Sequence, residues 1–384
     1  MGPVMTRTRE PDWQPRSDAV QSDQVDSYDA MRDRCPIAYD GNDSWTVFGH
    51  ADAVAVADDT ATYSNAVSRH LQVPNGFDGA AHRRYRAVVD RYFTYEALAE
   101  FEPVLRGICA ELVAAVPRGV DVDLMAVLAE PFANAATCAF MGWPDSLRVP
   151  MREWTEKNRR ATLAVDRAAM AEIAIEFDGH IRAQLDARRG RPATDPTGRL
   201  LSEHLDGRPL DDEEIVSIIR NWSVAELGTI AASVGVVAGF LARHPDVQTG
   251  LRADPALLDA AADEIQRMNS PFVASRRRVT VDTEMAGTAL DAEDRVYVLW
   301  TSANRDPRVF GDPDEFRLDR DPADNLVYGR GEHYCPGAHL ARLELRVLFE
   351  ELFAGTAEVS AGADAPVPAR YPAGGWSRLP VRLR

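Results

Sequence analysis

Residues 328–337 read Tyr-Gly-Arg-Gly-Glu-His-Tyr-Cys-Pro-Gly. Cys335 follows two closely spaced glycines and precedes Pro336, and the residues after it have the apolar period of a helix. Proline is favoured at the first helical position, where its missing N–H needs no partner. The pattern therefore predicts that Cys335 lies just before a helix N-terminus, where backbone N–H groups and the helix dipole stabilise a thiolate.

Three interpretations of this cysteine fit its sequence surroundings. It could be a buried structural cysteine in a glycine-rich turn. It could join His333 and His339 in a zinc site, although a fourth ligand is missing and the spacing is unusual. It could also be the thiolate ligand of a haem, with the glycines allowing the loop to pass beneath a porphyrin.

The composition is that of a globular protein with an acidic surface. The chain has 384 residues, of which 45% are hydrophobic and 27% charged, and its formal net charge is −17. A negative surface disfavours nucleic acid and anionic membranes as partners. The most apolar long stretch, residues 230–242, is too short to span a bilayer, and the first residues lack the apolar core of a secretory signal. We therefore expect no nucleic-acid partner and no membrane partner.

The cysteines indicate a reducing compartment. The four of them, Cys35, Cys109, Cys138 and Cys335, are dispersed and form no C-x-x-C pair. They are too few for a disulfide scaffold, which favours a cytoplasmic location.

The pattern along the chain predicts a large, mainly helical domain with small peripheral sheets. Residues 1–23 are polar and contain proline, and we expect a flexible arm there, followed by a single domain over residues 24–384. A period of 3.6 residues dominates from about 98 to 241. Short strands are predicted at 279–281, 296–299 and in the last ten residues.

The cysteine segment resembles the signature loop of cytochromes P450, which runs aromatic, two residues, glycine, three residues, cysteine, one residue, glycine. Tyr328, Gly331, Cys335 and Gly337 match it, with tyrosine in place of the commoner phenylalanine. His333 stands where the family usually has a basic residue bonded to a haem propionate. The resemblance implies the triangular, mainly helical P450 fold with one haem b and favours the haem interpretation.

Further haem contacts follow from the same resemblance. The chain reads Asp-Gly-Ala-Ala-His-Arg-Arg-Tyr-Arg over 78–86, which resembles the family helix that supplies propionate partners, and Arg277 lies six residues after Pro271, where relatives often place another. The implied cofactor-binding residues are His82, Arg86, Ala225, Arg277, Tyr328, Gly329, His333, Cys335 and Gly337, with Cys335 as the iron ligand.

A second family element is a structural Glu-x-x-Arg pair. Both Glu264–Arg267 and Glu156–Arg159 have this form. Residues at i and i+3 share a helix face, so either pair can form a bidentate ion pair. Glu264 lies about seventy residues before the cysteine and precedes Ser270-Pro271 and a short arginine run, as the resemblance requires. We expect Glu264 and Arg267 to be structural, and Glu156–Arg159 to lie on a solvated helix face.

The central helix departs from the family pattern. Counting back from His244-Pro245 places Thr229 at the oxygen-side threonine, but Gly228 replaces the usual preceding acid and a carboxylate occurs instead at Glu226. Residues at i and i+3 border one groove, so Glu226 and Thr229 are the candidate catalytic residues for proton transfer. Glu226 could instead bind a cationic or hydroxylated substrate group, or be an incidental helix residue.

The resemblance implies an oxidoreductase that oxidises a small organic substrate, a secondary metabolite or xenobiotic, with dioxygen and two electrons. With no fused reductase region in 384 residues, a separate ferredoxin-type donor is expected. One alternative is a haem–thiolate enzyme that uses peroxide or catalyses coupling or ring formation, and another is a non-catalytic haem or ligand-binding protein. The predicted substrate pocket comprises Val224, Leu227, Phe272, Val273, Ala274 and Ala373.

Overall fold

Helices form most of the molecule. The structure is a computed structural model that describes residues 10–41 and 44–384. A π-helical turn, Met125–Ala129, precedes the seventh α-helix. The α-helices are α1 (Asp18–Ser22), α2 (Gln24–Arg34), α3 (His50–Asp58), α4 (Gly79–Val89), α5 (Tyr95–Ala99), α6 (Glu102–Ala115), α7 (Glu130–Phe140), α8 (Arg148–Ala164), α9 (Arg167–Asp186), α10 (Pro196–Leu200), α11 (Asp212–Leu241), α12 (Pro245–Ala253), α13 (Leu258–Met268), α14 (Trp300–Ala303), α15 (Pro307–Phe310) and α16 (Ala338–Gly355).

The strands form small sheets beside the helical body. They are β1 (Ile37–Gly41), β2 (Ser44–Val47), β3 (Tyr63–Ser64), β4 (Asp121–Asp123), β5 (His204–Leu205), β6 (Arg208–Pro209), β7 (Ala274–Val279), β8 (Thr283–Met285), β9 (Thr288–Leu290), β10 (Arg295–Leu299), β11 (Val359–Ala361), β12 (Val367–Pro368), β13 (Trp376–Arg378) and β14 (Pro380–Leu383). The largest sheet has the order β1-β2-β10-β7-β3, in which only the β2–β10 pair is parallel. A second sheet is β11-β14-β4, and three two-stranded pairs complete the set among the described residues. The predicted class, mainly α with small sheets, is confirmed.

The N-terminal segment differs from the expected flexible arm. Residues 1–9 lie outside the described residues, but Trp13 is buried and its ring contacts those of Tyr28 and Phe48. The Asp12 backbone N–H also donates to the carbonyl of Tyr39 at 2.7 Å. A single tryptophan in a polar segment gives no periodic signal, and its burial attaches this segment to the body.

Helix α11 is the central element of the core. Asp211 and Glu214 form a capping box at its start, and the helix continues for 30 residues. It is therefore longer than the apolar stretch 230–242 indicated, and by length and composition it could cross a membrane. In its most apolar window 72% of the residues are buried inside the protein, which is the pattern of a core helix. Helices α7, α13 and α16 pack against it.

Candidate functional site

The loop before α16 holds Cys335 in a fixed position. The Cys335 backbone N–H donates to the carbonyl of Tyr328 at 2.9 Å, which closes the loop. Gly329 and Gly331 have φ values of +71° and +69°, a conformation that L side chains rarely adopt. A Cβ atom at Gly331 would lie 2.8 Å from the carbonyl oxygen of Ala57. The glycine at position 331 is therefore required by both backbone conformation and space.

The helix after the cysteine begins later than the sequence predicts. Pro336 is not the first helical residue, because Gly337 is the N-cap and α16 starts at Ala338. The Gly337 backbone N–H donates to the Cys335 sulfur and favours the thiolate, as do the charges of Arg86 and Arg342. Burial is the larger effect, so the pKa of the Cys335 thiol is raised.

The zinc interpretation is not supported by the placement of the two histidines. His333 Nε2 lies 3.0 Å from Asp78 Oδ1, and the His339 ring packs 4.2 Å from the Tyr95 ring. The group of metal-type ligand atoms found among residues 10–41 and 44–384 consists of His82, Glu332 and His333, and it does not include Cys335.

Two histidines from different elements meet beside the cysteine loop. His82 on α4 is 1% exposed, and its ring centroid lies 4.2 Å from that of His333. Burial lowers the pKa of His82 to about 4, with further lowering by His333 and Arg86. Asp78 accepts from the Ser64 hydroxyl and contacts His333, so it orients one of the two rings. Asp78 was not predicted as a site residue, although it directly precedes a helix and is its N-cap.

The two predicted arginines have different surroundings. Arg277 on β7 is 3% exposed, and burial lowers its pKa to about 10. Arg86 bonds instead to the loop itself, because its Nη1 donates to the carbonyl oxygens of Glu332 and Tyr334 at 3.0 and 2.9 Å. The structure therefore places Arg86 as a tie between α4 and the cysteine loop.

A short accessible strip interrupts the buried surface of α11. Val224, Ala225 and Gly228 are exposed and Thr229 is half-buried, whereas the helix is buried continuously from Ile230 to Leu241. A Cβ atom built on Gly228 would meet nothing within 4 Å. A flat group can therefore approach the helix backbone at this strip.

Glu226 lies at the flank of this strip and points into the protein. Its carboxyl group is within hydrogen-bonding contact of Glu344 on α16 and of the Thr137 hydroxyl on α7. Burial raises its pKa, because the charged form is poorly solvated. Glu344 was not predicted as a site residue, because its only signal in the sequence is a charge within the apolar pattern of α16.

The predicted substrate-pocket residues divide into two groups. Val224 and Phe272 are 40% and 45% exposed, and Phe272 forms an isolated β-bridge with the exposed Ala373. Ala274 is half-buried in β7. Leu227 and Val273, at 3% and 1% exposure, pack in hydrophobic clusters, and their place in the pocket stays a prediction.

The Glu264–Arg267 pair is deeply buried. Arg267 donates to both carboxylate oxygens, at 2.7 and 3.0 Å, and Arg320 donates to the same carboxylate at 3.0 Å. A further Arg267 bond reaches the carbonyl oxygen of Asn304 at 2.9 Å. The pair ties α13 to the segment before the cysteine loop. By contrast, Glu156 and Arg159 form an exposed ion pair, as the sequence predicted.

The donor groups fit a haem. Cys335 offers a sulfur ligand, and the open space beside Gly228 leaves room for a flat group. Two buried nitrogen atoms, His82 Nδ1 and Arg277 Nε, have no hydrogen-bond acceptor within the described part of the chain. Cationic or N–H donor groups of this kind suit carboxylates such as propionates. Because Asp78 interacts with both His333 and Arg277, these donors lie in one neighbourhood.

Comparison with known proteins identifies the family. The cytochrome P450 family model matches residues 166–354. Erythromycin C-12 hydroxylase of Saccharopolyspora erythraea is 31% identical over 346 residues, covering 86% of this chain and 86% of the relative. Cytochrome P450 monooxygenase PikC of Streptomyces venezuelae is 31% identical over 375 residues, covering 92% and 88%.

Comparison with solved structures identifies the same family. The structure of a mutant of P450 EryK in complex with erythromycin B has a TM-score of 0.86 and 30% identity, and the match covers 94% of this chain and 97% of that chain. The cysteine loop, the buried Glu-x-x-Arg pair and these relatives lead to one conclusion. The chain belongs to the cytochrome P450 family and is a monooxygenase-type oxidoreductase of the haem–thiolate class.

Proposed function

We propose that this protein oxidises a secondary metabolite, using dioxygen and two electrons, at a haem b bound through Cys335. The arrangement that carries the proposal is the cysteine loop at the start of α16 combined with the accessible strip of α11. The named substrates of its relatives support the chemical class, since they include erythromycin, and cyclomarin C in the case of a Salinispora arenicola epoxidase. Val224, Phe272 and Ala373 offer mainly apolar contacts for such a molecule.

The proposed haem site uses groups from several elements. Cys335 would bind the iron, and His82, Arg277 and His333 would receive the propionates. Such charge-assisted bonds contribute roughly 1.5–3 kcal/mol each. Thiolate ligation supplies electron density that favours cleavage of the O–O bond. Arg86 keeps the loop in place through its bonds to two loop carbonyls.

The protein's own residues would manage protons at the strip. Thr229 is half-buried beside Gly228, so its hydroxyl can hold a water or a substrate oxygen there. Glu226 lies about 60° around the helix from Thr229, because three residues turn an α-helix by about 300°. A group that works as a general acid needs a proton to give, and the raised pKa of Glu226 meets that requirement. Its contacts inside the protein favour this role over binding a substrate cation.

A separate ferredoxin-type protein is the proposed electron donor, and the cytoplasm the proposed location. Arg83 and Arg330 lie at the cysteine loop with 67% and 41% of their side chains exposed. Each has an acidic neighbour, but exposed ion pairs are weak and can exchange partners. These arginines therefore offer positive charge to an acidic donor.

Spectral titration and turnover test the function together. We would screen secondary metabolites for changes in the haem spectrum and then measure product and NADPH consumption with a surrogate ferredoxin and its reductase. Oxygen-inserted product coupled to NADPH consumption is expected. Product formed only with peroxide, coupling without oxygen insertion, or no turnover with any oxidant would each reject the proposal.

Glu226→Gln is expected to slow turnover by about 10²-fold or more, because the amide cannot donate the proton of a carboxylic acid. Haem content and the spectral dissociation constant for substrate should stay close to those of the wild-type protein, and peroxide release should increase. Asp78 and the other groups at His82 are untouched by this change, so haem loss is not expected. Weaker substrate binding with normal turnover would show that Glu226 holds substrate instead.

A further inference from the structure

Two carboxyl groups meet in the interior, and no cation contacts either of them within residues 10–41 and 44–384. Glu344 is fully buried on α16, and neither of its carboxyl oxygens has a hydrogen-bond donor among the described residues. Glu226 approaches it from α11, and Glu226 Oε1 likewise lacks a donor there. An isolated buried carboxylate is costly, and two adjacent ones repel each other.

The surrounding groups do not relieve this charge. The hydroxyl of Thr137 contacts Glu226 and also lies 2.7 Å from the carbonyl oxygen of Ala133. A hydroxyl has one proton to donate, so it cannot supply the donors that two carboxylates need. The titratable groups that face the pair are the thiols of Cys138 on α7 and Cys109 on α6. Both are buried, and neither supplies positive charge.

A proton between the two carboxyl groups would relieve both the repulsion and the lack of a hydrogen-bond donor. Like-charged carboxyls in contact titrate as a pair, and one proton removes half of the charge and creates the missing donor. We propose that Glu226 and Glu344 share one proton, and that Glu344 is the positioning residue that holds this proton next to the Glu226 carboxyl at the flank of the accessible strip. The shared proton extends the proposed role of Glu226, and only its use in catalysis rests on that proposed function. Burial raises the pKa of both groups, and their contact raises the pKa of Glu344 further, so the shared proton resides mainly on Glu344.

Infrared spectroscopy tests the shared proton directly. Haem-loaded protein, with and without isotope-labelled glutamate carboxyl groups, is titrated with base while the carbonyl band of protonated glutamate is followed. The wild-type band is expected to persist at neutral pH. In Glu344→Gln and in Glu226→Gln, the remaining carboxyl loses its like-charged neighbour and gains an amide N–H donor. Its band should therefore disappear at a lower pH than in the wild type.

The exposed Glu111 provides a matched control, since Glu111→Gln changes the same chemical group on α6 without touching the pair. It should leave the titration of the band unchanged. If the band titrates at or above the wild-type pH in both pair variants, the proposal is overturned. If a variant does not fold, the labelled wild-type protein still decides, because absence of the band at neutral pH rejects a shared proton.

Unfolding equilibria give a second measurement. The folded pair holds a proton that unfolded glutamates release above pH about 4.3. Between that pH and the raised pKa values of the folded pair, the folded state binds more protons, so stability falls as pH rises. The unfolding constant should increase about tenfold per pH unit for each proton involved. Either glutamine variant should make this dependence shallower, and an unchanged slope in both contradicts the proposal.

Turnover measurements distinguish the existence of the shared proton from its proposed use in catalysis. Glu344→Gln should shift the pH profile of turnover to lower pH together with the infrared titration, which a purely structural residue would not do. If both variants shift the infrared band but Glu226→Gln keeps normal turnover, the pair exists and the proposed proton transfer through Glu226 is wrong. If Glu226→Gln turns over slowly but the infrared band is unshifted in both variants, the shared proton is rejected and proton transfer through Glu226 is retained.

Discussion

Cys335→His is expected to abolish the red-shifted Soret band that the reduced carbonyl complex of a haem–thiolate protein shows. The band requires a thiolate ligand, and Cys335 is the cysteine held two residues before the N-cap of α16 by its backbone bond to Tyr328. Imidazole donates less electron density, so oxidation of the substrate should be lost as well. The measurement is the carbonyl difference spectrum of the reduced protein, together with haem content.

Cys109→Ala is the matched control for this change. Cys109 is fully buried in the hydrophobic core on α6, and burial raises its thiol pKa. Its loss should lower stability slightly and leave the band unchanged. The ligand assignment would be wrong if Cys335→His kept the red-shifted band, or if Cys109→Ala removed it in a folded protein.

The cysteine loop could be predicted because its constraints are local. Gly331 is fixed by a positive φ and by the Ala57 carbonyl, and such requirements leave a residue-specific trace in the sequence. Only the position relative to the cysteine distinguished the structural pair, Glu264–Arg267, from the surface pair, Glu156–Arg159. Burial of the first pair and exposure of the second confirm that distinction.

Interactions between distant helices could not be predicted in the same way. Glu344 on α16 resembles any charged residue of an amphipathic helix until α11 is packed against it. For Leu227, helical position alone does not tell which side of the mostly buried helix α11 faces a cavity. The N-terminal segment shows the same limit, since the burial of Trp13 depends on Tyr28 and Phe48.

Glu264→Gln is expected to lower the free energy of unfolding by about 3–5 kcal/mol, the usual result of removing one partner from a buried ion pair. The side chains of Glu264 and Arg267 are 6% and 1% exposed, and Arg320 shares the same carboxylate. The amide has nearly the shape of the carboxylate, so packing is preserved while the buried guanidinium group of Arg267 and the partly buried one of Arg320 lose their counter-charge. Urea denaturation followed by far-UV circular dichroism measures the change.

Glu156→Gln makes the same substitution in the same i, i+3 geometry, but at the surface. Arg159 donates to both oxygens of Glu156, at 2.7 and 2.8 Å, just as Arg267 does to Glu264. Because water solvates the exposed arginine after the change, the expected cost is only about 0–1 kcal/mol. Equal destabilisation by the two substitutions would contradict burial as the cause. A large loss confined to Glu264→Gln means that this pair stabilises the fold by compensating charge in the interior, since hydrogen-bond geometry is common to both.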